Sequence, residues 1–241
     1  MSAFGILVLL VPLSLAFQPP DTAAPAKPAL LPLLRSRGGE VMTTLVPTKQ
    51  AAQVLSSKEA YYEMVKKGEV ASKMSTMKVL FASIMGGCYV GIGGLLSMSI
   101  AGNLPGIAES NPGLIKFVFA ALFPVNLLLV LQTGSQLFTG NTATMAMALC
   151  ERSITLADLL RSWGLSFAGN VIGCGLLALA AAYTGLLSGG TAELAIKTVK
   201  GKCALAFGPT FVKAILCNWL VCLAVFLATS ASDMTGKMVS V

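Results

Sequence analysis

Four apolar stretches occupy the chain from residue 77 onward, separated by polar or basic segments. The second of them organises the rest. It runs from Leu114 to Leu149, about 36 residues, and its first half to Leu131 is almost wholly apolar. Then comes Gln132-Thr133-Gly134-Ser135-Gln136-Leu137-Phe138-Thr139-Gly140-Asn141, after which apolar residues resume through Met145 and Met147. A helix that crosses a bilayer needs ~20 apolar residues. The stretch is too long for one span and too short for two complete spans with a loop, so the pattern predicts a helix broken at membrane depth. Broken backbone is tolerated there only where protein or a water-filled cavity receives its N–H and C=O groups. Interrupted spans therefore point to a permeation site. The same residues also fit two short helices joined by a polar surface hairpin.

The other stretches read as unbroken spans over 77–101, 159–187 and 207–231. The first is crowded with glycine, and Gly87 and Gly91 form a G-x-x-x-G pair of the kind that lets a neighbouring helix come close. Gly169 and Gly173 form a second pair in the third span, where Asn170 is a polar residue in need of a partner. Asn218 lies near the middle of the fourth span. Residues 102–113, with Pro105, Gly106, Pro112 and Gly113, read as a loop, as do residues 188–206 with Lys197, Lys200 and Lys202. Glu151-Arg152-Ser153 is a short polar connection, and Ser153, Thr155 and Asp158 supply start signals for the helix after it.

The N-terminal part has a different composition. Residues 1–16 resemble a secretory signal: the apolar run Ile6–Leu15 is too short to span, and Ser14-Leu15-Ala16 places small residues where a signal peptidase reads. A membrane anchor is the other reading. Residues 17–49 are rich in Pro, Ala, Ser and Thr, with four basic residues and only Asp21 and Glu40 as acids, the composition of a disordered transit-like segment. The junction Ala16-Phe17 is similar to the bipartite presequence of algae with secondary plastids, which would direct the protein to a plastid envelope. Residues 50–75 read as an amphipathic helix on the membrane surface, with Val54, Tyr61, Tyr62 and Val65 among lysines; a solvated linker helix fits as well.

Composition settles the class. Of the 241 residues, 55% are hydrophobic and 11% charged, with a mean hydropathy of +0.79. Soluble domains carry ~25% charged residues, so this is an integral membrane protein. The net charge of +7 does not indicate nucleic acid, because the Lys and Arg residues lie mainly in flanks and loops of the spans, where they set topology. Lys58, Lys66, Lys67, Lys73, Lys78, Arg152, Arg161 and Lys237 fall on one side, which places the N-terminal flank on the cytoplasm-equivalent side. The three lysines of 188–206 run against that rule. They either solvate a loop or form a vestibule that concentrates anions. The chain has no histidine, hence neither the usual proton carrier near neutral pH nor the commonest metal ligand. Its six cysteines show no C-x-x-C spacing, so no metal site, cofactor or disulfide framework is assigned.

Gly134-Ser135-Gln136-Leu137-Phe138-Thr139-Gly140 resembles the loop signature of the formate/nitrite transporters. Residues 214–224, Ala-Ile-Leu-Cys-Asn-Trp-Leu-Val-Cys-Leu-Ala, are similar to that family's second signature. Ser162-Trp163, Gly169-Asn170 and Gly173 also fit. The resemblance covers about residues 50–241. It implies an all-α, aquaporin-like inverted-repeat fold, of which this chain holds the first three-helix repeat, its second span broken, and the first helix of the second repeat. It also implies assembly as a homopentamer and transport of small monovalent weak-acid anions such as nitrite and formate. By position, Phe123, Leu127, Leu137 and Val221 fall where the family builds apolar constrictions, Thr139 at the broken-helix loop, Asn218 beside the central pore site, and Lys202 at the vestibule lysine. An apolar ring opposes a bare anion, because desolvating a charge costs many kcal/mol. A weak acid drawn in by Lys202 and then protonated would pass.

Two departures stand out. Gln136 occupies a position where the family usually has an acid. The family's central histidine belongs to a fifth span that this chain does not reach, so the resemblance implies an incomplete member. The alternative is a truncated, non-conducting structural or regulatory subunit of a transporter oligomer. A membrane-bound enzyme is disfavoured, since the spans hold no histidine, metal spacing or acid pair. A neutral-solute channel of the aquaporin class would carry two Asn-Pro-Ala motifs, which are absent.

Overall fold

The computed structural model describes the backbone of residues 30–37 and 40–47, and the chain from 54 to 241. The expected signal over 1–16 lies outside the described residues. Within the 17–49 segment, expected to lack secondary structure, β1 (Leu30–Arg37) and β2 (Glu40–Pro47) pair as an antiparallel ribbon, with Leu30 opposite Pro47 and Arg37 opposite Glu40.

The rest is helical. α1 (Ser57–Ser72) starts at a capping box in which Ser56 and Glu59 satisfy each other's backbone N–H. α2 (Thr76–Ala101) follows after a three-residue turn. α3 (Pro105–Ser110) and α4 (Pro112–Leu122) both begin with proline, which suits the first helical turn because its missing N–H has no partner there. α5 (Val125–Thr133) continues α4 past a kink at Phe123-Pro124, where the imide nitrogen cannot donate. The 134–137 break separates α5 from α6 (Phe138–Cys150). Then come α7 (Leu156–Tyr183), α8 (Gly189–Cys203), α9 (Phe207–Ser230) and α10 (Met234–Ser240). Thr155 caps α7 and Asp158 closes the capping box, as the start signals anticipated. Residues 188–206 are not a loop: most of that segment is α8, whose 15 residues the sequence reading missed because their helical apolar spacing is diluted by Gly189, Gly190 and three lysines.

Among the described residues, four helical stretches are long and apolar enough to cross a membrane: Thr76–Ala101, Pro112–Thr133, Leu156–Tyr183 and Phe207–Ser230. Large apolar side chains stay exposed along them, for instance Phe167, Val171 and Leu179 on α7 and Phe207, Leu216 and Leu220 on α9. Hydrocarbon and neighbouring helices are suitable surroundings for such faces, whereas water is not. The molecule is an integral, multi-pass membrane protein.

Its two ends are distinct. At one, α1 lies across the helix termini. Leu55 donates its N–H to Ser230 O (2.9 Å), the Tyr61 hydroxyl donates to Glu151 Oε1 (2.8 Å), and Arg161 Nη2 donates to Ser72 O and Met74 O (2.5 and 3.1 Å). Gly68 lets α1 sit directly on α6, since a Cβ there would fall 2.5 Å from Thr144 O. At the other end, Asn103 Nδ2 donates to Thr191 Oγ1 (3.0 Å), joining the loop after α2 to α8. The buried interior lies under α1. One cluster gathers Val65, Met145, Leu159 and Trp163; a second gathers Met64, Leu127, Ala143, Cys222 and Val225.

Candidate functional site

The break is built from outside itself. Gly134 ends α5 in the left-handed region (φ 70°), a conformation open to glycine without steric cost. Ser135 N–H returns to Val130 O (3.2 Å). Gln136 N–H crosses to Ala82 O of α2 (3.2 Å). Asn170 of α7 supplies the rest. Its Nδ2 donates to Gln136 O (2.9 Å) and to Ser83 O (2.7 Å), while its Oδ1 accepts from Phe138 N–H (2.8 Å). The first N–H of α6 is thus capped by a residue 32 positions away in sequence. The partner required by Asn170 is the break, and the partner required by the break is Asn170.

Glycines let those helices come close enough. A Cβ on Gly86 would lie 2.6 Å from Gln136 O. One on Gly87 would strike Asn170 O, and one on Gly173 would strike Ile84 O. Gly91 meets only the end of the Leu177 side chain (2.6 Å). Close packing therefore explains both glycine pairs, most strongly at Gly87 and Gly173.

A cavity of about 390 Å³ lies on the α1 side of the break. Leu127, Leu131, Leu137 and Val225 give it an apolar wall; Gln136, Asn141 and Thr144 add polar edges, and Glu63, Lys66 and Lys67 stand at its rim. Leu137 is also the N-cap of α6 and offers no side-chain acceptor, so that helix end takes its side-chain acceptor from Asn170. Asn141 is held in place from both sides: Nδ2 donates to Gln136 Oε1 (3.0 Å), and its carbonyl accepts from Trp163 Nε1 (3.1 Å). At the rim, Lys67 Nζ donates to Thr229 Oγ1 (2.7 Å), and Lys66 pairs with Glu63 (3.6 Å). Burial of its surroundings, then the nearby Lys237 charge, pull the Lys67 pKa below the usual lysine value, against a smaller opposing effect of Glu63.

The sequence-derived candidates divide into three groups. Leu127, Leu137 and Val221 meet in one apolar cluster with Cys222 and Val225. Thr139 and Asn218 are joined through a third residue. Asn218 Nδ2 donates to Thr142 Oγ1 (2.9 Å), and Thr142 Oγ1 donates to Thr139 O (2.6 Å). Thr139 takes part through its carbonyl. Asn218 Oδ1 is buried and, among the described residues, has no partner. Phe123 and Lys202 lie elsewhere. Phe123 sits at the α4–α5 kink, stacks on Phe119 (5.8 Å) and lines a second, apolar cavity of about 330 Å³ with Leu95, Met98 and Leu187. Lys202 is exposed in the last turn of α8 and lines neither cavity. The sequence reading missed Thr142 and Asn141. Asn141 closes the polar run that marks the break and Thr142 follows it, which was the available signal.

The family model described as "Formate/nitrite transporter" matches residues 58–241. The chain belongs to the formate/nitrite transporter family. It is 36% identical over 191 residues to a "Probable formate transporter" of Methanothermobacter thermautotrophicus, covering 70% of this chain and 68% of that one. Among solved structures it resembles an "FNT family ion channel" with a TM-score of 0.68 and 24% identity, covering 76% of this chain and 72% of that one. It also resembles a "Pentameric formate channel with formate bound", with a TM-score of 0.59 and 25% identity, covering 68% of this chain and 64% of that one. The chain spans about two thirds of the length of the first curated relatives it matches. Gln136 stands uncharged at the break. Its side-chain oxygen accepts from Asn141 Nδ2, a bond that needs no charge on the acceptor.

Proposed function

We propose that the complete protein moves small monovalent weak-acid anions across a membrane, formate foremost and nitrite by the same route. The observation that carries this reading is the break: a backbone interruption pinned by Asn170, with its α6 terminus at a cavity that is apolar on one wall and polar on the other. Similarity to a formate transporter and to a formate-bound channel supports the substrate class.

In this mechanism Leu127, Leu137 and Val221 form the apolar constriction. An anion cannot cross it bare, but its conjugate acid can, because losing the charge removes most of the desolvation cost. Asn218 presents its unpartnered Oδ1 to the protonated species, and the Thr139–Thr142 relay holds the Asn218 amide in place. Lys202 acts at a distance as an electrostatic attractor for the anion at the outer mouth. Phe123 closes the far end near the α4–α5 kink. Transport is coupled to protons, and the functional unit is a homopentamer with one pore in each subunit.

The test is flux. The complete protein, reconstituted in liposomes with a formate gradient, is expected to acidify or alkalinise the lumen as formic acid crosses, at a rate that rises as external pH falls. No formate or nitrite flux above empty liposomes, together with co-purification in mixed pentamers with a conducting relative, would replace this reading with that of a non-conducting subunit.

A further inference from the structure

Two Gly-Cys dipeptides face each other where α2 crosses α7. Cys88 Sγ donates to Gly173 O (3.4 Å), and Cys174 Sγ donates to Gly87 O (3.0 Å). Each thiol rests on the backbone of the residue that precedes the other cysteine. The pattern is reciprocal, and it exists because both glycines lack a Cβ. A methyl on Gly173 would meet the Cys88 backbone nitrogen at 2.9 Å, and one on Gly87 would strike Asn170. Each sulfur therefore lies within hydrogen-bond reach of the peptide that joins the other cysteine to its glycine. Both thiols are free and half-buried. Cys174 also lines the second apolar cavity of about 330 Å³. Cys150, Cys203 and Cys217 are exposed on other helices, and Cys222 bonds within the site already described.

We infer that Cys88 and Cys174 are a dithiol that a hydroperoxide converts into a disulfide between α2 and α7. Cys174, reached from the cavity, attacks the terminal oxygen of the peroxide with its sulfur, and its thiol proton passes to the departing oxygen. The O–O bond breaks, a sulfenic acid forms on Cys174, and the peroxide leaves as an alcohol, or as water from hydrogen peroxide. The Cys88 sulfur then attacks the sulfenic sulfur, and the hydroxyl departs with the Cys88 thiol proton as water. The two thiols lose two electrons and two protons, and the peroxide is reduced by the same two electrons. Asn170 lies one helical turn before Cys174, so the new bond fixes α2 to α7 beside the residue that holds the break.

The experiment uses the complete protein in lipid vesicles. It is treated with hydrogen peroxide, blocked with N-ethylmaleimide, digested without reductant and mapped by mass spectrometry. The expected result is a linked peptide pair containing Cys88 and Cys174 that dithiothreitol separates. In Cys88→Ala, Cys174 should instead be trapped by dimedone as a sulfenic acid. The oxidised protein should melt several degrees above the reduced one, and the double variant Cys88→Ala/Cys174→Ala should show no such shift. Recovery of both residues as maleimide adducts, under peroxide that oxidises exposed Cys150 and Cys203, would overturn the inference. So would linkage of either cysteine to any other partner. The peptide map of the unaltered protein decides the matter even if a variant fails to fold.

Discussion

Asn170 does the work of three caps with one side chain. It receives the first N–H of α6 and gives its two protons to Gln136 O and Ser83 O. Replacing it with leucine keeps the volume and strands Phe138 N–H and Gln136 O, while Ser83 O inside α2 keeps its helical partner. Each group left unpaired costs about 1–3 kcal/mol. Asn170→Leu is therefore expected to lose most of its folded, monodisperse protein on size-exclusion chromatography in mild detergent. A normal elution profile would show that the break is held by something other than this amide. Thr142→Val is the contrasting substitution. It preserves shape and removes the relay between Asn218 and the Thr139 carbonyl, so folding should survive while formate flux drops several-fold. Equal flux in Thr142→Val and the parent would detach Asn218 from the pathway proposed for it.

At the scale of elements, α1 is the piece whose attachment is most sensitive to conditions. It rests on α6 through Gly68 and on α9 through Lys67 and Thr229. The Lys67 pKa is depressed, so below the ordinary lysine value of 10.5 the folded state binds this proton less readily than the unfolded chain does. Stability then rises with pH wherever the unfolded state holds more protons. The charge is least welcome at neutral pH, and its destabilisation is relieved as pH climbs through the folded pKa toward 10.5. Melting curves of the parent should accordingly gain on those of Lys67→Met over the alkaline range, with parallel curves as the refuting outcome. Gly68→Leu should be worse at every pH, because its side chain meets the Thr144 backbone and Ala148. Helix spans and starts were legible in the sequence because length, apolar runs and the Thr155–Asp158 box are local signals. α8 was not, since its helical character depends on packing against the end of α2 more than on its own composition. The partner of Asn170 was illegible for the same reason: sequence shows that a buried amide needs bonds, and only the crossing of α2 and α7 shows where they are.

For the whole molecule, the arrangement separates what selects from what attracts. Leu137 sits at the joint of the break, at once N-cap of α6, cavity wall and member of the cluster with Leu127 and Val221. Lys202 is exposed on a helix at the opposite end from α1. If selection is steric and apolar at Leu137, truncation to alanine widens the passage without touching the charge at the mouth. Leu137→Ala should then admit larger monocarboxylates such as lactate, at the expense of discrimination and not of maximal rate. If attraction is electrostatic at Lys202, its removal should act on uptake at low formate concentration and fade when substrate is abundant. It should also vanish at high ionic strength, where a Debye length near 3 Å at ~1 M salt hides a surface charge from an approaching anion. The two substitutions therefore produce different signatures in one assay: a changed order of substrates for Leu137→Ala, and a changed concentration and salt dependence for Lys202→Ala. An unaltered substrate order would return Leu137 to packing alone. A salt-independent loss in Lys202→Ala would mean that the lysine shapes α8 instead of drawing in the anion.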